Sequence, residues 1–235
     1  MREAVIVAGA RTPVGKAKKG SLANVRPDDL GALVIKETLR RAGNPEDAID
    51  DLIIGCAMPE AEQGLNVARN IGALAGLSYE VPAMTINRYC SSGLQTIAMA
   101  AERIMLGAAE TALAGGVFAI SMFPIIGPVL RPNRNLADSA PEYYMMMGHT
   151  AEEVAKKYQI TREEQDAFAV RIHGRAHVAI QEGKFMDEIV SVEVRTQFID
   201  HHHQTVEKTF QMTIDEGVRP ETSVEVLSTL RPAFS

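Results

Sequence analysis

From Ala4 to Gly116 the chain alternates short apolar runs with longer segments of helical periodicity, and this alternation limits the fold more than any other feature. Ala4–Ala8 is apolar and closed by Gly9, so it predicts a buried strand. After the loop Arg11–Gly20, Asp28 or Asp29 is placed to cap a helix running to about Ala42, with Leu30, Leu33, Val34, Thr38 and Leu39 on one stripe and Gly43 at its end. Further strands are expected over Ile49–Gly55, Ala83–Ile86 and Thr111–Ala114, the last closed by Gly115-Gly116. Helices are expected over Asn66–Ala75 and Ser91–Leu106, stopped by Gly76 and Gly107. Strand–helix alternation of this kind predicts an α/β layered fold whose apolar strands are covered on both faces.

Beyond about residue 118 the pattern changes. Residues 123–142 carry four prolines and two asparagines and are expected to form a long irregular loop. Thr150 and Glu153 read as a capping box for a helix to about Tyr158, and Thr161 and Glu164 as a second box for a helix to about Gly183. Ile189–Val194 alternates as a strand would, and the remainder is poorly periodic. The expected organisation is a sheet-and-helix core over residues 1–117 and a loop region over residues 118–235.

The net charge of −6 comes without a basic block, which argues against general nucleic-acid binding. Met1–Val7 enters an apolar run with no basic leader, so no signal peptide is expected, and no apolar stretch approaches the roughly 18 residues of a membrane span. Two cysteines make no disulfide framework, so a cytoplasmic, reducing setting with free thiols is expected.

Cys90 carries the chemistry. It stands between an apolar strand and an Ala-rich helix, where free N–H groups and the helix dipole favour a thiolate and also face any oxyanion formed when sulfur attacks a carbonyl. Ser91, Ser92 and Gly93 leave space above the sulfur. The bland alternative is an inert buried cysteine. Cys56, at a strand end with no small-residue helix start after it, is expected to be structural. No histidine is a convincing base. His173 and His177 have metal-ligand spacing but no third ligand, so they are expected on a solvated helix face; His201-His202-His203 is expected in a solvated turn; His149 precedes the expected cap.

Asn87-Arg88-Tyr89-Cys90-Ser91-Ser92-Gly93-Leu94-Gln95 resembles the nucleophile motif of the thiolases. The resemblance extends over the chain in order, through Ala8–Pro13, Gly64–Arg69, Gly115-Gly116, Met147–Glu152, Glu164–Ala169, Asp215–Pro220 and Leu230–Phe234. It implies a thiolase-like α/β fold, N-terminal part, with a mixed sheet covered by helices, a long loop region over the coenzyme A pocket, and the C-terminal half absent. It implies acyl transfer from a 3-ketoacyl-CoA to CoA through an acyl-Cys90 intermediate, with CoA as substrate, no bound cofactor and no metal. Met147, Arg219 and Phe234 fall where the family contacts CoA, with Arg219 the partner for adenine and phosphates. A homo-oligomer is implied, and so is a place in fatty-acid β-oxidation. Gly55–Gly64 looks more like the degradative 3-ketoacyl-CoA branch than the biosynthetic acetoacetyl-CoA branch.

Two departures stand out. The family's usual Glu-Ser after Gly-Gly-Val or Gly-Gly-Ala is replaced by Phe118-Ala119, which is expected to shift the loop path. The activating His, second Cys and Asn of the family's second half have no counterpart in these residues, so thiolysis by this chain is expected to be poor. Two other functions remain open from sequence: a non-catalytic CoA-binding or assembly module needing a partner chain, and a cysteine hydrolase working through Cys90 alone.

Overall fold

The structure is a computed structural model, and it describes residues 2–43, 48–122, 124, 127–199 and 204–234. The chain divides into two compact units: residues 1–128 with 187–216, and residues 129–186 with 217–235. Neither follows the expected bounds of 1–117 and 118–235, because the segment after the second unit's helices returns to the first.

In the first unit, α1 (Pro27–Arg41), β1 (Asp51–Gly55), α2 (Val67–Ala75), β2 (Ala83–Ile86), α3 (Ser92–Met105) and β3 (Ala112–Gly116) follow in turn. The three strands form one sheet in the order β2-β1-β3, parallel throughout. The described sheet is thus not mixed; the antiparallel pairing lies apart, in the hairpin β4 (Val192–Ile199) and β5 (Thr205–Met212). Every residue of β1 is buried, as expected of a central parallel strand. Leu52 and Ile54 pack with Ile35 and Leu39 of α1 and Val67, Ala68 and Ile71 of α2. Alternation turns Ile53, fully buried, to the opposite face, where α3 lies. The hairpin builds a second small core: Val192, Val194 and Met212 pack with Leu22, Val25, Leu30 and Leu33. The expected α1 stripe is therefore split, its Leu30 and Leu33 going to the hairpin.

Local signals set several boundaries. Asn66 caps α2, its side chain accepting the Arg69 N–H, and Gly76 ends it in the left-handed region at φ 91°. Neither Asp28 nor Asp29 caps α1; Pro27 occupies its first position, where a missing N–H costs nothing, and both acids lie in the first turn. β3 runs through Gly115-Gly116 instead of stopping before them. Gly116 lies in close approach, with a Cβ there meeting Gly93 Cα at 3.4 Å.

The N-terminal run departs furthest from expectation. Ala4–Ala8 joins no strand ladder, and Val5, Ile6 and Val7 are 73%, 83% and 76% exposed. The reason is geometric. A cavity of about 380 Å³ is lined by Ala8 and Ala10 together with Leu113 to Phe118 and with Val34 and Ile35 of α1, so the end of the run borders open space and not the edge of β3.

The second unit holds α4 (Arg134–Ser139), α5 (Met147–Tyr158), α6 (Arg162–Gln181) and α7 (Val224–Ser228). The stretch expected to be irregular contains α4, capped by Asn133, and a 3-10 turn at Pro141–Tyr144. The Thr161–Glu164 capping box is present in full. The Thr150–Glu153 box is not: α5 begins at Met147, and the Thr150 hydroxyl donates back to Met146 O at 3.3 Å. Arg162 joins α6 to α7, its guanidinium donating to Leu227 O at 2.6 Å and Leu230 O at 3.1 Å. No helix among the described residues is long and apolar enough to cross a membrane.

Candidate active site

β2 ends at Ile86, and the chain reaches α3 through Asn87–Ser91. Side chains shape that turn. Asn87 Oδ1 accepts the Tyr89 N–H at 2.8 Å, and Tyr89 sits at φ 47°, a left-handed conformation uncommon for an aromatic residue. Ser92 Oγ accepts the Arg88 N–H at 2.9 Å and donates to Tyr89 O at 2.6 Å. The hydroxyl of this one buried serine, 4% exposed as a residue, thus ties both residues before Cys90 to the first turn of α3. The Arg88 guanidinium bonds the Gln95 side chain one helical step further on.

Cys90 lies two residues before α3 and is solvent-exposed. Ser91 makes no side-chain cap; its hydroxyl donates to Arg88 O at 2.9 Å instead. The N–H groups of Gly93 and Leu94 have no hydrogen-bond acceptor among the described residues. They are the free donors of a helix start, and they open beside the cysteine.

Three features that sequence reasoning missed hold this arrangement. Gly55, at the end of β1, has no room for a side chain: a Cβ would lie 2.6 Å from Ser92 C and 2.8 Å from Ser92 O. The first turn of α3 rests directly on the strand end. Thr96, fully buried, donates to Gly93 O at 2.7 Å and lies 2.9 Å from Gly115 O, fastening α3 to β3. Gln63, also fully buried, donates to Met58 O at 2.7 Å and accepts the Ala119 N–H at 3.1 Å. Since Gln63 reads backbone, the loop exit at Phe118-Ala119 is anchored without the polar residues the resemblance leads one to expect.

Cys56 is the contrasting thiol. It is 0% exposed within the β1–α1–α2 core, and burial pushes its thiol up, opposed by the Met58 N–H.

The first unit contains no histidine among its described residues; His149, His173 and His177 all lie in the second, and His201-His202-His203 falls outside the described residues. No group of three or more His, Cys, Asp or Glu placed to hold a metal occurs among the described residues. His173 is not simply solvated: its Nδ1 accepts the Arg219 backbone N–H at 3.1 Å.

Met147, Arg219 and Phe234 all fall in the second unit. Met147 begins α5 and is 71% exposed. Phe234 covers Gly148, where any Cβ would overlap its ring, and meets His149 edge-on at 5.5 Å and 73°. Arg219 is exposed, and its guanidinium has no partner among the described residues.

A sequence profile for the thiolase N-terminal domain matches residues 4–235. The 3-ketoacyl-CoA thiolase of Bacillus subtilis (strain 168) is 69% identical over 235 residues, which are 100% of this chain and 60% of that protein. A protein of the same name from Citrobacter koseri is 44% identical, again over the whole chain and 58% of its own length. Among solved structures, the Bacillus anthracis acetyl-CoA acetyltransferase superposes with a TM-score of 0.83 at 35% identity, covering 100% of this chain and 60% of that one. The chain thus spans about three-fifths of the length of these relatives.

Proposed function

The chain belongs to the thiolase family, through that family's N-terminal domain, and from that premise we propose that it contributes the acyl-accepting nucleophile of a 3-ketoacyl-CoA thiolase. The observation that carries this reading is the placement of Cys90: exposed, at a parallel-strand end, beside the unbonded N–H groups of α3. In the proposed reaction Cys90 Sγ attacks the 3-keto carbon of the substrate. The C2–C3 bond breaks, its electron pair stays on C2, and protonation there releases acetyl-CoA. The acyl group remains as a thioester on sulfur, and a second CoA thiol then removes it. The free donors at Gly93 and Leu94 suit a negative oxygen developing close to the sulfur.

Met147, Arg219 and Phe234 are proposed CoA contacts, Arg219 through a guanidinium that has no partner among the described residues. The names of the two sequence relatives favour the degradative direction, whereas that of the structural neighbour fits the biosynthetic alternative, acetyl-CoA condensation. Two free cysteines suit a reducing cytoplasm. A homo-oligomer is proposed from the position of β2 at the edge of the described sheet and from Leu65, Tyr89 and Leu94, at 92%, 68% and 72% exposure; light scattering on the eluting chain measures its mass.

No described residue of the first unit supplies an imidazole to Cys90, so steady-state thiolysis by the chain alone is expected to lie orders of magnitude below that of a full-length relative. The test is mass spectrometry after incubation with acetyl-CoA. Attack of Cys90 on the acetyl carbonyl with departure of CoA leaves one acetyl group on the Cys90 peptide, and Cys90→Ala abolishes it. Acetyl on neither cysteine, or on Cys56, counts against the reading. Thioester hydrolysis without CoA dependence would mark a cysteine hydrolase instead.

One observation favours a second reading, an assembly module completed by a partner chain. Val117 N–H bonds Gly55 O at 2.9 Å, so alternation along β3 turns the peptide groups of Ala112, Ala114 and Gly116 to its other edge, where they find no partner among the described residues. Ala8, at the end of a run that joins no ladder among the described residues, lines the same cavity as Leu113 to Phe118. A five-residue apolar strand from the length that the relatives have and this chain does not span would bond this open edge of β3. Co-expression with that portion of the Bacillus subtilis relative should yield a stable complex and restore thiolysis.

A further inference from the structure

Arg219 combines a fixed backbone with a free side chain. Its N–H donates to His173 Nδ1 at 3.1 Å, and its carbonyl accepts the Thr222 N–H at 3.2 Å, closing the turn that leads to the Ser223 cap of α7. Both polar groups of its main chain are therefore engaged inside the second unit, while the guanidinium projects without a partner among the described residues. His173 is held in turn by α6, a helix of 20 residues with a complete capping box. The ring is a side-chain acceptor on a rigid element, bonded to one particular residue of a connecting segment. His177, one helical turn on, makes no such bond among the described residues, so the two histidines do not act as a pair.

A cation that reads an anion from a fixed backbone loses less conformational freedom on binding than one carried by a loose loop. We infer that His173 is a positioning residue for Arg219: its Nδ1 fixes the backbone from which the guanidinium reaches the phosphate oxygens of coenzyme A. The inference rests on the reading of Arg219 as a CoA contact. It also specifies a tautomer, since a ring accepting at Nδ1 carries its proton on Nε2.

Three substitutions and two measurements test it. Phenylalanine at His173 keeps a ring and removes the acceptor; asparagine restores an acceptor oxygen near the place of Nδ1. Titration of the chain with CoA should show affinity falling about tenfold in Arg219→Ala and about three- to tenfold in His173→Phe, with His173→Asn returning to within about twofold of the starting value. The double variant His173→Phe/Arg219→Ala should bind no more weakly than Arg219→Ala, because a positioning residue has nothing left to position. Additive losses, or a His173→Phe chain that binds CoA unchanged while Arg219→Ala does not, overturn the inference. An Arg219→Ala chain with undiminished affinity, or no CoA binding by the unsubstituted chain, defeats the CoA-contact reading instead. The second measurement needs no ligand. Amide hydrogen exchange at Arg219 should accelerate in His173→Phe and slow again in His173→Asn, and unchanged exchange in His173→Phe refutes the contact itself.

Discussion

Replacing Gly55 by alanine asks whether the helix carrying the nucleophile is seated by direct contact with the strand end. In a strand, at a backbone conformation open to any residue, Gly→Ala ordinarily stabilises by about 0.4–1 kcal/mol through the unfolded chain. Here the new methyl would lie 2.6 Å from Ser92 C, 2.7 Å from Ser92 Cβ and 2.8 Å from Ser92 O. Non-bonded carbons settle at about 3.5–4.0 Å, so α3 or β1 must give by roughly 1 Å. The obstacle is main chain at a helix start, fixed by hydrogen bonds to Arg88 and Tyr89, and no rotamer change relieves it. Overpacking of this kind costs about 1–3 kcal/mol. It outweighs the entropic gain, and Gly55→Ala should lose about 1–2 kcal/mol net. Gly115, in the neighbouring strand, supplies the control: a methyl there meets only Ile54 Cδ1, at 3.7 Å, so Gly115→Ala should be neutral or slightly stabilising. Urea denaturation followed by circular dichroism gives both stabilities, and the rate of iodoacetamide reaction at Cys90 reports whether the helix start has moved. Equal stabilities for the two variants, with equal Cys90 rates, would refute the seating argument.

Three further outcomes follow from the same geometry. Iodoacetamide should label Cys90 on the native chain and leave Cys56 untouched until denaturant is added, read by peptide mass spectrometry, because one thiol is exposed and the other sits in the core with its thiol pushed up by burial. Asn66→Ala should destabilise by about 1–2 kcal/mol in urea, since it removes the α2 cap, the 2.8 Å bond to Ala83 O and the 2.8 Å bond accepted from Thr85. The Asp215 carboxyl is held below its ordinary value of 3.8 chiefly by Arg11, at 2.7 and 2.9 Å, with burial opposing and the Val14 N–H assisting. A lowered folded value means stability that is present above 3.8 and lost as pH falls through the folded value, so acid should destabilise the unsubstituted chain below 3.8 more steeply than Asp215→Asn.

What was legible in the sequence was what neighbouring residues decide. β2, α2 with its Asn66 and Gly76 ends, and the Thr161 capping box depend on signals within a few positions, and they lie where those signals put them. The Thr150–Glu153 pattern is chemically the same as the Thr161–Glu164 one, yet α5 starts before it, at the turn where Phe234 packs on Gly148 from the far end of the second unit. The strand β5 escaped notice because its exposed positions do not alternate cleanly along its length; its pairing with β4 defines it. At the candidate site the type and place of Cys90 were readable. The Gly55–Ser92 contact, the Gln63 anchor and the His173–Arg219 bond were not, since each joins segments that local pattern does not connect.

The clasp at the loop after Pro13 bears on synthesis. Arg11 bonds Asp215 and Glu188, and Glu216 accepts the Lys16 N–H across a sequence separation of 200 and the Ser21 N–H across 195. A ribosome working at ~5–20 residues per second needs roughly 4–18 s to pass from residue 128 to residue 216, and until then Arg11 and the Lys16 and Ser21 N–H groups lack their acidic partners. Through that interval Leu22, Val25, Leu30 and Leu33 lack Val192, Val194 and Met212, the hairpin residues that later pack against them. The loop beside Arg11 is therefore the last part of the first unit to be secured, and a chain halted before residue 216 leaves that apolar face of α1 without its cover.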